Sequence, residues 1–219
     1  GSFKEGGRFY RAWWQEIPSP YRSLITINGT RTEEYDYSNL NPTMMYALAK
    51  KDIDGDAYDI GLGDKHRDIV KQCFNAMVQS KYVLLRNPRT IKLKGTGLSW
   101  GILVKAILKR HSKIKDMFFR GLGNTLQFED SQIAEQILLH FSKKNIPILP
   151  IHDSFLARHG DTEELFGLMD ELFKKRFNRK CKIKMEKKFI PVEFTKMDSV
   201  ENIIKVNEEH SMWNKRHGY

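Results

Sequence analysis

The sequence predicts an α+β fold in which a small antiparallel sheet is backed by helices, and three observations lead there. Residues 23–27 (SLITI) and 32–37 (TEEYDY) are short runs suited to strands, joined through Asn28-Gly29, a pair that accepts the positive φ of a tight hairpin turn. A second pair of apolar runs, 146–151 (IPILPI) and 154–157 (SFLA), is interrupted by His152-Asp153 and reads as another hairpin with its acidic residue at the bend. Around these hairpins, apolar residues recur at helical spacing over stretches too long for strands.

The helices follow in order. Residues 42–50 (PTMMYALAK) carry Pro42 in the first turn, where its missing amide costs nothing. A helix over 65–80 gathers Ile69, Val70, Phe74 and Met77 on an inward side and leaves Arg67 and Lys71 together on another face. A third runs near 98–110 through Ile102, Leu103, Ala106 and Ile107. From Asp130 to about Lys143, Ile133, Ile137, Leu138 and Phe141 form an amphipathic stripe behind a cap at Asp130 or Ser131. Asp161 to Phe177 is a strongly amphipathic helix with Leu165, Phe166, Met169, Leu172 and Phe173 facing inward. The Gly- and Asp-rich stretch 54–64 and the basic stretch 86–97 read as connections, and the chain ends basic and then irregular.

At 219 residues and 40% hydrophobic content, the chain buries one substantial core and a small appended subdomain. Thirty-seven Lys and Arg against 27 Asp and Glu give a net charge of +10, which points to a polyanionic partner: nucleic acid first, acidic lipid second. No apolar run approaches a membrane span and no secretory signal opens the chain, so the expectation is a cytoplasmic protein with no membrane partner. Cys73 and Cys181 lie far apart, outside any zinc-ligand spacing, and read as reduced thiols. Gly1-Ser2 reads as a cloning remnant and sequence pattern starts abruptly at Phe3, so the expectation is one domain cut from a longer protein, whose further domains would be partners.

Two aspartates, Asp36 and Asp153, stand at the ends of predicted strands. If those strands pair, two carboxylates lie side by side, an arrangement that holds divalent metal. Phosphoryl transfer needs its attacking and leaving oxygens clamped in line, which two Mg²⁺ ions provide. Mg²⁺ takes carboxylate and carbonyl oxygens and keeps several waters, so Asp36, Asp153 and the backbone carbonyl of Tyr37 suffice as protein ligands, with Mn²⁺ as a substitute ion. Arg67 and Lys71, one helical turn apart, are spaced to reach one triphosphate.

The same residues resemble a known family. Gly7-Arg8, Gln15-Glu16-Ile17-Pro18, Arg22 and Asp36-Tyr37-Ser38 are similar to the GR, QNIP, Arg and DYS series that leads into the palm of family-A DNA polymerases. Arg67-Asp-Ile-Val-Lys71 resembles the R-x3-K of their motif B, and Leu149 to Phe155, with His152-Asp153-Ser154-Phe155, resembles motif C in the form used by single-subunit phage-type RNA polymerases. The resemblance covers roughly 6–177. It implies a palm (1–53 with motif A, 129–219 with motif C and the basic end) interrupted by a reduced helical fingers insertion (54–128). It implies Asp36 and Asp153 as metal ligands, Arg67 and Lys71 on the triphosphate, His152 near the primer terminus and Arg8 against the primer–template minor groove. The expected partners are DNA or RNA primer–template and nucleoside triphosphates, with DNA replication or priming as the setting.

Three departures stand out. Gln79 occupies the aromatic position eight residues after the motif-B lysine, with Tyr82 three residues later. Asn41 falls where family-A DNA polymerases carry the glutamate that excludes a 2′-hydroxyl, which leaves the sugar open and predicts weak ribo/deoxyribo discrimination. The span from Asp36 to Asp153, 117 residues, is short for the family.

Blander readings accompany each feature. An Asp at a strand end is commonly a turn former, Arg67 and Lys71 alone are a solvated helix face, and His152 alone is a structural histidine. Asp52, Asp54, Asp56 and Asp59 lack an EF-hand pattern and read as a solvated loop. Trp13, Trp14 and Trp100 either stack bases or pack inside, and the Lys-rich stretch 174–188 either tracks phosphates or keeps the surface soluble. The order of the motifs favours a nucleotidyltransferase of polymerase type. The rivals are a primase or template-independent terminal transferase, a catalytically silent nucleic-acid-binding module, and a transferase acting on a small molecule or protein.

Overall fold

The computed structural model describes residues 6–186. Strands β1 (Thr26–Ile27) and β2 (Thr30–Tyr37) form the first hairpin around Asn28 and Gly29, whose φ values of 52° and 75° are the two positive angles a type I′ turn requires. β1 is shorter than the predicted 23–27 because Ser19–Leu24 coil into a 3₁₀ helix with a proline at its start. That turn aims Arg22 inward: its Nε donates to the Ile17 carbonyl at 3.1 Å.

β3 (Leu149–Ile151) and β4 (Ser154–Arg158) form the second hairpin, again with a two-residue connection. β2 is the central strand. Its residues Thr32–Asp36 pair antiparallel with Arg158–Ser154 of β4, and Glu34–Tyr37 pair on the other edge with a fifth strand, β5 (Ile183–Glu186). Sequence periodicity did not mark β5, whose four residues sit in a Lys-rich stretch and are recruited by the free edge of β2.

The helices are α1 (Trp13–Glu16), α2 (Leu40–Leu48), α3 (Arg67–Gln79), α4 (Trp100–Arg110), α5 (Gly123–Lys143) and α6 (Thr162–Phe177). α6 lies against one face of the sheet, where the Tyr37 hydroxyl donates to the Met169 carbonyl at 2.7 Å and its ring meets Phe173 at 5.7 Å. Met44, Met45, Phe74, Met77, Leu103 and Phe141 are among the fully buried side chains that join the helices into one core. His111 sits inside that core between the Tyr46 hydroxyl at Nδ1 (3.2 Å) and the Ala57 carbonyl at Nε2 (2.9 Å), and burial pulls its pKa down to about 4. It is therefore a neutral, structural imidazole at pH 7. Among the described residues no helix is long and apolar enough to cross a membrane.

Two expectations are corrected. α5 begins at Gly123, so Asp130 and Ser131 are interior residues and not caps; Asp130 is tolerated there because its carboxylate meets a cation, described below. Phe166, expected inward, is 45% exposed and turns its edge to Tyr35.

Candidate active site

The alternation of β2 sends Tyr35 and Tyr37 toward α6, and therefore Thr32, Glu34 and Asp36 to the opposite face of the sheet. Asp36 is directly opposite Ser154, the first residue of β4. Asp153 is the second turn residue of the β3–β4 hairpin, immediately before it. The Tyr37 amide donates to the Asp153 carbonyl at 3.4 Å, so the two aspartates are brought beside each other at one end of the sheet. In an extended strand the N–H and C=O of one residue point to the same side, so the Tyr37 carbonyl faces the same turn. Both aspartates are half-buried. After burial itself, both charges help raise the pKa of the Cys181 thiol and the Tyr58 phenol, which marks a shared electrostatic neighbourhood. Two carboxylates and one carbonyl make an all-oxygen donor set, the chemistry a hard divalent cation takes.

His152, the first turn residue, has a φ of 52°. Glycine takes that left-handed conformation freely, whereas a residue with a Cβ, His among the better tolerated, holds it at a cost of about 1 kcal/mol. The ring is in tilted contact with Tyr10 at 5.8 Å between centroids. The residue is exposed overall, and its pKa is lowered by partial desolvation of the ring first and then by the positive charge of Arg8, with Asp153 opposing and Arg22 adding a little.

A buried polar layer supports the turn from below. The Ser154 hydroxyl donates to Glu34 Oε1 at 2.6 Å, and Arg22 Nη1 donates to the same oxygen at 3.2 Å. Glu34 is only 9% exposed, so this pairing is what makes its burial tolerable. On the outer side, Trp14 Nε1 and Gln15 Nε2 both donate to the Pro150 carbonyl, at 2.9 and 3.0 Å, which clamps the segment before β1 onto β3. Arg8 Nε donates to Asp130 Oδ2 at 2.9 Å. Burial pushes the Asp130 carboxyl up to about 7 and the Asp153 charge adds to that, while Arg8 pulls the other way without cancelling it. Arg8 is thus engaged with α5.

The second part of the site is the N-terminal half of α3. Arg67 forks onto Asp56 (Nε to Oδ2 2.6 Å, Nη2 to Oδ1 3.1 Å), its Nη2 also reaches Asn39 Oδ1 at 3.1 Å, and the guanidinium lies 5.2 Å from the centre of the Tyr58 ring. The hydrogen bond holds Asp56 below the usual carboxylate range and Arg67 above its ordinary value. The acidic loop is therefore more than a solvated connection: Arg110 also donates to the carbonyls of Asp54, Asp56 and Asp59. Lys71 is exposed one turn beyond Arg67. Asn75, one turn further, accepts a 3.1 Å bond from Asn41 Nδ2, joining α2 to α3. Gln79 is exposed at the far end of α3, about 18 Å along the axis from Arg67, and borders Gly123 of α5.

Asp36, Asp153, Tyr37 and His152 thus gather at one end of the sheet. Arg67 and Asp56 are tied to the start of α2, three residues after Asp36, by the Arg67–Asn39 bond, and the Tyr58 phenol feels the charges of Arg67, Asp153, Asp56 and Asp36 after the dominant effect of burial. Gln79 stays remote. Sequence reasoning missed Glu34, Asp130, Asp56, Tyr58 and Asn75. Only Asn75 carried a signal, as the next step of the i, i+4 series from Arg67 and Lys71.

No protein-family model matches the sequence, and no curated protein is similar to it. Solved structures do match. The POL domain of Pol1 from M. smegmatis, in complex with DNA primer-template and dNTP, aligns with a TM-score of 0.52 at 13% identity, over 78% of this chain and 43% of that one. The chain therefore has a polymerase-like α+β fold. It spans less than half the length of that structure.

Proposed function

We propose that this chain is the palm and reduced fingers of a nucleic-acid polymerase, which adds nucleotides from NTP or dNTP to a 3′-hydroxyl with release of pyrophosphate. The observation that carries the reading is the juxtaposition of Asp36 and Asp153 across the Tyr37–Asp153 backbone bond, with the cationic end of α3 held to Asn39, three residues after Asp36. The likeness to a primer-template- and dNTP-bound POL domain supports the fold on which this rests. In this reading the palm comprises 1–53 and 129–219 and the fingers 54–128.

Asp36, Asp153 and the Tyr37 carbonyl would hold two Mg²⁺ ions, and their all-oxygen character fits that ion. When bound, the ions would supply charge neutralisation for the attacking and leaving oxygens. Lys71 is an exposed cation one turn from Arg67 and is assigned to the leaving phosphates. Arg67, already forked onto Asp56, fixes the end of α3 and offers its remaining N–H groups to the same anion. His152 is assigned to the primer end, next to Asp153. Arg8, tied to Asp130, buttresses the turn and borders the primer–template duplex.

The test is incubation of the protein with a labelled primer, with and without template, in each NTP or dNTP pool with Mg²⁺. Extension by single nucleotides is the expected result, and its absence in every pool sinks the assignment. Asn41 stands at the sugar, held by Asn75, and lacks the length to close the 2′ side. Asn41→Glu is expected to raise the dNTP preference in kcat/KM by about tenfold or more, since one steric clash is worth about 1–3 kcal/mol.

A further inference from the structure

Besides the Lys-rich stretch 174–188, one long region of the chain carries positive charge without any acid. From Ile69 to Lys115, 47 residues carry eleven Lys or Arg and no Asp or Glu, more than the whole chain's net charge of +10. Some of these cations are used internally: Arg110 and Lys113 bond to carbonyls of the acidic loop at Asp52 to Asp59. Those of the α3–α4 connection are not. Lys81, Arg86, Arg89, Lys92 and Lys94 are all exposed, and among the described residues none has a side-chain hydrogen bond or ion pair.

The connection is nevertheless anchored. Trp100 Nε1 donates to the Leu84 carbonyl at 2.7 Å, Asn87 Nδ2 donates to the Ile91 carbonyl at 2.8 Å, and Ile91 is 4% exposed. Apolar side chains at and just before these anchors point outward: Leu85 is 95% exposed, Tyr82 79% and Val83 67%. Leu85 joins Leu84, Trp100, Val104 and Leu108 in lining a shallow apolar cleft. An anchored loop that presents apolar side chains between uncompensated cations has the makings of a binding surface.

We propose that residues 81–94 are a grip for single-stranded nucleic acid. The cations match a phosphate backbone, and Tyr82 with the apolar side chains beside it matches base faces, which a duplex keeps stacked inside and a single strand offers. In taking that strand to be the unpaired template, the proposal rests on the polymerase reading. The strand binding itself does not.

The experiment is fluorescence anisotropy with the full chain and a labelled mixed-sequence 20-nucleotide DNA strand, the same sequence as RNA, the blunt duplex, and vesicles containing anionic lipid. The wild type is expected to bind either single strand at least tenfold more tightly than the duplex. Arg86→Ala/Arg89→Ala/Lys92→Ala/Lys94→Ala is expected to weaken binding at least tenfold and to flatten the slope of log K against log salt by about 3, at roughly 0.7 for each phosphate no longer neutralised. Tyr82→Ala is expected to weaken it severalfold with the slope unchanged. Circular dichroism confirms that these surface variants fold. Equal binding by the quadruple variant and wild type overturns the proposal, as does a duplex bound as well as the strand, or binding to vesicles alone. Primer extension by the wild type separates the two readings: strand binding without any nucleotide addition leaves the grip standing and sinks the polymerase, whereas extension with unaltered strand binding by the loop variants does the reverse.

Discussion

The two hairpin turns have the same length and opposite chemistry. At Asn28-Gly29 both residues take positive φ, and both are residue types that adopt it at little cost. At His152-Asp153 the first residue takes the same left-handed conformation with a side chain that disfavours it, in a position where a two-residue turn of this kind ordinarily has glycine. The first turn has the sequence best for folding. The second carries a strained residue beside an aspartate, held by a buried Arg22–Glu34–Ser154 layer and by α1 on Pro150. Backbone cost that the surroundings hold in place is the observation from which a functional role for this turn is proposed.

Breaking the comparison at its chemical end has the largest expected effect. Asp153→Asn or Asp36→Asn abolishes nucleotide addition in the primer-extension assay and leaves the thermal midpoint close to wild type, because an isosteric amide disturbs little packing. Full Mg²⁺-dependent activity in either variant would remove the aspartates from the mechanism. Removal of the support comes next. Arg22→Ala leaves Glu34 buried without its cation and is expected to cost about 3 kcal/mol in urea unfolding; a loss near zero would mean that the layer does not brace the turn.

Substitutions within the turns are expected to move stability in opposite directions. Gly29→Ala places a Cβ at φ 75° with no clash and is expected to cost about 1 kcal/mol with activity intact. His152→Gly relieves the left-handed strain, is expected to stabilise by about 0.5–1 kcal/mol, and lowers nucleotide addition. A destabilised His152→Gly protein would show that the imidazole contributes more to the fold than its conformation costs.

The smallest effect is in pH. The folded-state pKa of His152 is depressed, so the unfolded chain binds its proton more readily, and stability falls as pH drops below about 6.5. His152→Gln removes that contribution and should lose less stability than wild type between pH 7 and pH 5. Parallel losses would assign the pH dependence to other groups such as buried His111.

Legibility followed the range of the interaction. Asn28-Gly29, the stripe Val70, Phe74 and Met77, and the stripe Leu165, Met169, Leu172 and Phe173 are local patterns, and each became the expected turn or buried helix face. The start of α5 was misread because Asp130 is usually a cap, and only the arrival of Arg8, 122 residues away in sequence, makes an interior aspartate tolerable. The aspartates were visible as strand ends, but the charge partners of Arg67 were not, since Asp56 looked like one acid in a solvated loop.

By itself, then, the sequence determined the two hairpins, the helical stripes and the surplus of positive charge, because backbone sterics and burial periodicity act over a few residues. The tertiary structure decided the rest. Asp36 and Asp153 become neighbours because β2 and β4 pair, β5 forms because β2 has an edge to complete, and Asp130 stays buried because Arg8, 122 residues away, meets it. Each of these depends on closing a long loop of chain, so no local window contains the partner that makes it favourable.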